Sequence, residues 1–313
     1  MNANNIFSYL ELNQIFTNKV TYEAITIGAG GAKVYIITDG EKKYVLKNIP
    51  KYIQTDKNIN NSYERELHFY ELFESLRLPY IPNTIFYENS NEYGIILVMN
   101  YYSPIKKESW DLNLQKQAVD ICAKINSIPI DKINSLKLQH QKIDINKQSA
   151  ENSYNDWKLV LNQYKGKFED KVLDEIYENI EIVCPVLNCE PHCLCHGDFH
   201  PENILYDGNQ LIVCDWQGIN IGKSISDISF FISRGHGMGI DMKEEHLLDY
   251  YCERVSLYRN SFIDKETLLK EKYASTVLCT FSFWAQYLKN SSFEQVAIQY
   301  NGMVDAFRKL YVL

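Results

Sequence analysis

The stretch Leu194–Asp215, reading LCHGDFHPENILYDGNQLIVCD, constrains this chain more than any other part of it. It carries His196, Asp198 and Asn203 in a His-x-Asp-x4-Asn spacing. A hairpin pattern follows: Ile204–Tyr206, an Asp207-Gly208 turn, and Leu211–Cys214, with Asp215 at the end of the second strand. Asp-Gly between apolar runs is a tight-turn signal. Such a turn brings Asp215 back beside the polar loop that holds Asp198 and Asn203. Two carboxylates and an amide then share one small space. That set can take a proton from a hydroxyl and hold a divalent cation on a phosphate chain.

The chain has 313 residues, which suits two lobes sharing a cleft. Its net charge of −8 argues against nucleic acid or an anionic membrane as the main partner, and permits a cationic substrate. No run approaches the ~20 apolar residues of a membrane span. The opening MNANNIFSYLELNQIF has no basic region ahead of an apolar stretch, so no signal peptide is expected and the expected location is cytoplasmic. The eight cysteines then read as reduced thiols.

Strand signals dominate the first hundred residues. A short helix over 5–16 precedes Glu23–Ile27, the turn Gly28-Ala29-Gly30-Gly31, and Ala32–Thr38. Asp39-Gly40 then turns the chain into Lys43–Lys47. Glycines in the first turn let backbone N–H groups approach a phosphate without Cβ interference. Period two puts Lys43, Val45 and Lys47 on one strand face. In the helical stretch Asn60–Leu76, Glu66 falls on the stripe of Phe69, Tyr70, Phe73 and Leu76. An inward glutamate needs a partner, and Lys47 is the natural one. Strands near Thr84–Tyr87 and Tyr93–Met99 follow, and strand character stops after Asn100-Tyr101-Tyr102.

Helical patterns fill the rest. Asp111–Ile128 is one such run, Glu151–Val183 another, and Leu247–Tyr258, Lys265–Lys289 and Phe293–Tyr311 complete the set. The expected architecture is α+β and two-lobed. It has a small antiparallel-sheet N-lobe over 1–99, a connector over 100–102, and a larger helical C-lobe over 103–313.

The order of parts (glycine turn, strand lysine, helix glutamate, connector, catalytic loop, metal acid) resembles the eukaryotic-like kinases. The wording His196-Gly197-Asp198-Phe199-His200-Pro201-Glu202-Asn203 resembles the HGDxHxxN signature of the aminoglycoside phosphotransferase and choline kinase superfamily. Asp215-Trp216-Gln217 resembles the DWE or DFQ form of that group, and Gly31–Tyr35 resembles its strand after the nucleotide loop. The resemblance implies ATP (or GTP) and Mg²⁺ as cofactors and a small-molecule hydroxyl as acceptor. Asp198 would orient the hydroxyl and accept its proton. Asn203 and Asp215 would hold the metal. Lys47, positioned by Glu66, would contact the α- and β-phosphates. Gly28, Gly30 and Gly31 would cover the phosphates, and backbone groups at Asn100 and Tyr102 would bind the base. Asp227 would brace the catalytic loop. An aminoglycoside-like antibiotic is the first expected acceptor, which would make antibiotic resistance the role. Choline, another amino alcohol or a sugar comes next. A non-catalytic kinase-like protein of spore-coat type is the rival from another class, and a protein kinase is disfavoured by the missing DFG glycine. Three positions depart from the pattern: Gly30-Gly31 carry no hydroxyl or amide, Gln217 replaces glutamate, and Asn126 replaces a frequent histidine.

Other signals carry less. Cys193, Cys195, His196, Cys189 and His200 suggest zinc, but Cys193 and Cys195 are spaced as strand neighbours and read as apolar positions. Arg234–Gly239 follows a helical run and reads as a flexible loop beside the substrate. Asp241, Glu244, Glu245 and Asp249 suit a solvated first helical turn, or could meet a cationic amine. Trp157 and Trp284 read as core.

Overall fold

The alternating segments of the first hundred residues build one antiparallel sheet. The computed structural model describes residues 3–25, 31–51, 57–76, 78–138, 140 and 145–310. After helix α1 (Ala3–Leu12) come β1 (Thr21–Ile25), β2 (Lys33–Asp39) and β3 (Lys42–Ile49). Helix α2 (Lys57–Leu76) precedes β4 (Thr84–Ser90) and β5 (Gly94–Asn100). The strand order is β1-β2-β3-β5-β4, so the continuous apolar run Gly94–Met99 lies inside the sheet with β3 on one side and β4 on the other.

Period two decides what each sheet face covers. Tyr35, Ile37, Leu46, Ile96 and Val98 pack under Ile6, Phe7 and Leu10 of α1. Leu97 and Met99 turn the other way, onto Phe69, Tyr70 and Phe73 of α2. Those three α2 side chains are at most 2% exposed. Their burial is worth roughly 5–9 kcal/mol, more than a buried ion pair returns. The apolar stripe therefore docks the helix, and Glu66 rides on it. Leu76 is 37% exposed, so the buried stripe stops at Phe73.

The remaining chain is mainly helical: α3 (Leu112–Asn126), α4 (Lys147–Asn162), α5 (Asp170–Asn188), α6 (Ile225–Gly237), α7 (Glu244–Arg259), α8 (Lys265–Cys279), α9 (Ala285–Leu288) and α10 (Phe293–Leu310). Short strands interrupt it: β6 (Ser103–Pro104), β7 (Cys193–Cys195), β8 (Ile204–Tyr206), β9 (Leu211–Val213) and β10 (Asn220–Gly222). No helix among the described residues is long and apolar enough to cross a membrane. One core runs from α2 through the β8–β9 hairpin to α3, α6 and α7. A second joins α4, α5, α8 and α10.

Three expectations need correction. Glu151–Val183 is two helices, because the chain turns at Gly166 in the left-handed region (φ 73°). Arg234–Gly237 lies inside α6 and is not a loop. Gly235 packs closely there: a Cβ would stand 2.5 Å from Met242 Sδ and would displace that side chain. Trp157 is fully buried, but Trp284 is 37% exposed. It ends the π-helical turn Thr280–Trp284, whose extra residue per turn shifts the stripe.

Candidate active site

Lys47 is the meeting point of three elements. Its Nζ stands 2.7 Å from Glu66 Oε2 on α2 and 2.7 Å from Asp215 Oδ1 just past β9. Burial alone would push this ammonium down, but the Glu66 and Asp215 carboxylates outweigh it and hold the group above its ordinary value. It stays charged. Asp215 sits in the left-handed region (φ 64°), an unusual conformation for a residue other than glycine. The next residue, Trp216, stacks on Phe69 of α2 at 3.9 Å and meets His196 edge-on at 4.5 Å. Aromatic packing thus fixes the acid between helix and loop.

The loop between β7 and β8 carries Asp198 and Asn203. Asn203 Nδ2 donates to Asp198 Oδ2 and to its backbone carbonyl, both at 3.0 Å. The Cys214 N–H donates to the Asn203 carbonyl at 2.9 Å, which ties the amide to the residue before Asp215. His200 Nε2 lies 3.5 Å from Asp198 Oδ2. Burial raises the Asp198 carboxyl, but His200 and Asn203 outweigh it and hold the group below the ordinary carboxylate value. It is ionised at neutral pH, and its Oδ1 takes no hydrogen bond among the described residues.

Beneath this loop Asp227, Asn126 and His196 are all hydrogen-bonded. Asp227 at the start of α6 accepts the His196 and Gly197 N–H groups at 2.8 and 2.9 Å. Asn126 Nδ2 donates to Asp227 at 3.2 Å and to the Leu194 carbonyl at 2.8 Å, and its Oδ1 accepts from Tyr251. Buried His196 is pushed down by desolvation and stays neutral. Its Nε2 faces the Cys214 carbonyl and its Nδ1 faces the Asp198 N–H, which selects the Nε2–H tautomer. Gly197 has φ 81°, and a Cβ there would collide with the Gly218 carbonyl at 2.1 Å. Only glycine lets the two loops touch. Sequence reasoning named Asp227 but missed the roles of Asn126 and Tyr251, which no local pattern signals.

The donor chemistry fits a hard divalent ion. Asn203 turns its nitrogen to Asp198, which leaves the amide oxygen on the opposite side. Asp215 spends Oδ1 on Lys47 and keeps Oδ2. Amide and carboxylate oxygens are the ligands that Mg²⁺ takes, with water completing the shell.

The other expected positions are placed unevenly. Gly28 and Gly30 lie outside the described residues, and Gly31 follows at φ 78°. The Asn100 N–H is engaged by the Asn83 carbonyl at 3.0 Å, and the Tyr102 hydroxyl accepts from the Asn83 N–H at 2.8 Å. A cavity of about 1050 Å³ borders Asn100–Tyr102, yet Lys47, Asp198, Asn203 and Asp215 do not line it. Glu244 pairs with Lys272 and Asp241 with Lys243, while Glu245 is exposed. No hydrogen bond or ion pair among the described residues joins these acids to the loop of Asp198. Cys193 and Cys195 are buried on β7, 4% and 0% exposed.

Residues 21–254 match the model of the phosphotransferase enzyme family. No curated protein sequence matches the chain. Among solved structures it is similar to spectinomycin phosphotransferase in complex with ADP and spectinomycin, at 15% identity and TM-score 0.58, over 99% of this chain and 98% of that one. It is also similar to ADP-bound aminoglycoside phosphotransferase APH(2'')-Ib, at 19% identity and TM-score 0.55, over 99% of each chain. The choline kinase of Streptococcus pneumoniae aligns over 99% of each chain, at 15% identity and TM-score 0.55. At these identities the likeness is one of fold.

Proposed function

The chain belongs to the phosphotransferase enzyme family, and on that premise we propose that it transfers the γ-phosphoryl group of ATP or GTP to a hydroxyl of a small molecule. The observation that carries this reading is the ion triad Lys47–Glu66–Asp215, joined through one hairpin to Asp198 and Asn203. It supports a division into a nucleotide-binding N-lobe (1–99), a connector (100–102) and a C-lobe (103–313).

Asp198 accepts a hydrogen bond from the acceptor hydroxyl through its open Oδ1, aligns the oxygen for attack and takes its proton. Lys47 gives its charge to the α- and β-phosphates once nucleotide enters, while Glu66 keeps the ammonium in place. Asn203 and Asp215 hold Mg²⁺, which neutralises phosphate charge when bound. Gly31, with Gly28 and Gly30, offers backbone N–H groups to the phosphates. The base docks on the connector, using backbone groups other than the engaged Asn100 N–H. Transfer of this kind is mostly positioning and charge neutralisation, so carboxylate, amide and lysine suffice.

An aminoglycoside-like antibiotic is the first acceptor proposed, and the fold likeness to a choline kinase supports an amino alcohol as the second. Asp241, Glu244 and Glu245 stay candidate counter-ions for a cationic acceptor, which would have to displace the Lys243 and Lys272 partners of the first two. The test is purified protein with Mg²⁺ and ATP or GTP against a panel of antibiotics, amino alcohols and sugars. Nucleotide-dependent phosphorylation of one class is the expected result. Thermal stabilisation by Mg-ATP with no transfer to any acceptor would favour a non-catalytic binding protein.

A further inference from the structure

Away from the transfer chemistry, two distant segments bring three metal-ligating side chains together. Glu190 and His192 lie just before β7, and His140 comes from the segment beyond α3. One ring nitrogen from each histidine and a Glu190 oxygen all lie within 4.8 Å of one another. His192 Nδ1 is 2.9 Å from Glu190 Oε1, and the His192 backbone N–H donates to Oε2 at 2.8 Å. The two imidazole rings meet edge to face, with centroids 5.8 Å apart. Backbone pairing supports the arrangement. His140 forms a parallel bridge with Ile221 of β10, and Ile221 pairs with Leu194, two residues after His192.

We infer that His140, Glu190 and His192 form a binding site for a first-row transition-metal ion, zinc foremost. The donor set selects this class. Imidazole suits Zn²⁺, Cu²⁺ and Ni²⁺, whereas Mg²⁺ and Ca²⁺ take oxygen. Zinc bonds of about 2.0–2.2 Å put tetrahedral donors about 3.4 Å apart. His140 is exposed and the Glu190 side chain is 75% exposed, so both can close by side-chain rotation. His192, only 9% exposed, is the fixed donor. Water completes the coordination. Nearby thiols are committed elsewhere: Cys189 Sγ faces the Val186 carbonyl at 3.2 Å and Lys223 Nζ at 3.6 Å, and Cys193 and Cys195 are buried. The ion is a staple. It ties the segment beyond α3 to the strand that runs into His196.

The test uses the full chain, stripped with chelator and titrated with ZnCl₂ by calorimetry in excess Mg²⁺. One zinc per chain with micromolar affinity is expected. His140→Gln and Glu190→Gln should each weaken binding at least tenfold without changing the zinc-free melting temperature, since both side chains are exposed. Cys189→Ser and Asp215→Asn should leave the isotherm unchanged. Cobalt(II) in place of zinc should give visible d–d bands and no near-ultraviolet thiolate band. The inference is overturned if zinc binds no better than to the His140→Gln/His192→Gln double variant. A thiolate band, or loss of zinc in Asp215→Asn, overturns it equally, by placing the ion on cysteine or at the nucleotide site.

Discussion

The loop His196–Asn203 has two sides built by opposite rules. On one side Asp198, His200 and Asn203 are partly exposed, and the Asp198 carboxyl is held below the ordinary range by His200 and Asn203 against the pull of burial. On the other, Asp227, Asn126 and His196 are at most 1% exposed, and desolvation pushes the Asp227 carboxyl up despite three donors. The same side chain type is shifted in opposite directions on the two sides of one loop. A transfer site needs an ionised carboxylate with an oxygen still open. A core needs every buried polar atom satisfied. The contrast predicts that substitutions on the two sides fail differently.

Asp198→Asn carries the largest expected effect. It should lower kcat about 10³-fold, the usual scale for a general base, while the melting temperature moves by no more than about 2 °C, as for a surface change. Nucleotide binding should persist, since Lys47 and Asp215 are untouched. Retention of activity within tenfold would remove Asp198 from the chemistry and end the comparison. Asp227→Ala should do the reverse. It strands the N–H groups of His196 and Gly197 and the Asn126 amide, a loss of about 3–5 kcal/mol. For a chain of this size that is a fall in melting temperature of roughly 10 °C. Asp227→Asn keeps one acceptor oxygen and should lose less. An Asp227→Ala protein with unchanged melting would break the claim that this side is architecture.

The ion triad sharpens the contrast because it mixes the two rules. The Glu66 side chain is 3% exposed and that of Asp215 is 31% exposed, yet both hold Lys47. Glu66→Gln keeps the size and the hydrogen bond but removes a charge. It should raise the nucleotide KM about ten- to hundredfold, the scale of one charge-assisted hydrogen bond, and should change kcat less. Steady-state kinetics with ATP varied separates the two constants. An effect on kcat alone would place Glu66 with the reacting groups instead.

The open side of this loop was legible because its parts are local. The His-x-Asp-x4-Asn spacing and the Asp207-Gly208 turn fix Asp198, Asn203 and Asp215 within one hairpin. Period two on β3 and the helical stripe of α2 then place Lys47 and Glu66 facing each other. The buried side was mostly illegible. Asn126, Asp227 and Tyr251 come from three helices and meet through tertiary packing alone. Asn126 stood out only as a departure from the family pattern, and its contact to Leu194 explains why an amide serves there. Arg234–Gly239 misled because glycine is read as a loop signal, whereas Gly235 serves close packing against Met242. His140 and His192 meet through β10 and β7, a pairing that sequence spacing does not reveal.

His200 offers the smallest and most discriminating test, because it belongs to the open side yet acts only through Asp198. Its Nδ1 accepts from the Glu202 N–H at 3.3 Å, which leaves Nε2–H facing Asp198. Its ring also meets Phe230 edge-on at 5.5 Å. The contact to Asp198 favours the carboxylate over the acid and therefore lowers that group's pKa. Removing it in His200→Ala should let the pKa climb back toward the ordinary value of about 3.9. The sign follows: the acid limb of the kcat/KM profile should move to higher pH, by less than about one unit, because a partly exposed contact is screened. The stability that the Asp198 contact provides is present above the unfolded value and is lost as pH falls through the lowered one. The variant should therefore melt slightly below the parent protein at neutral pH and lose that deficit at strongly acid pH. A shift of the acid limb to lower pH would mean that His200 opposes ionisation of Asp198, and the account of the open side would have to be reversed.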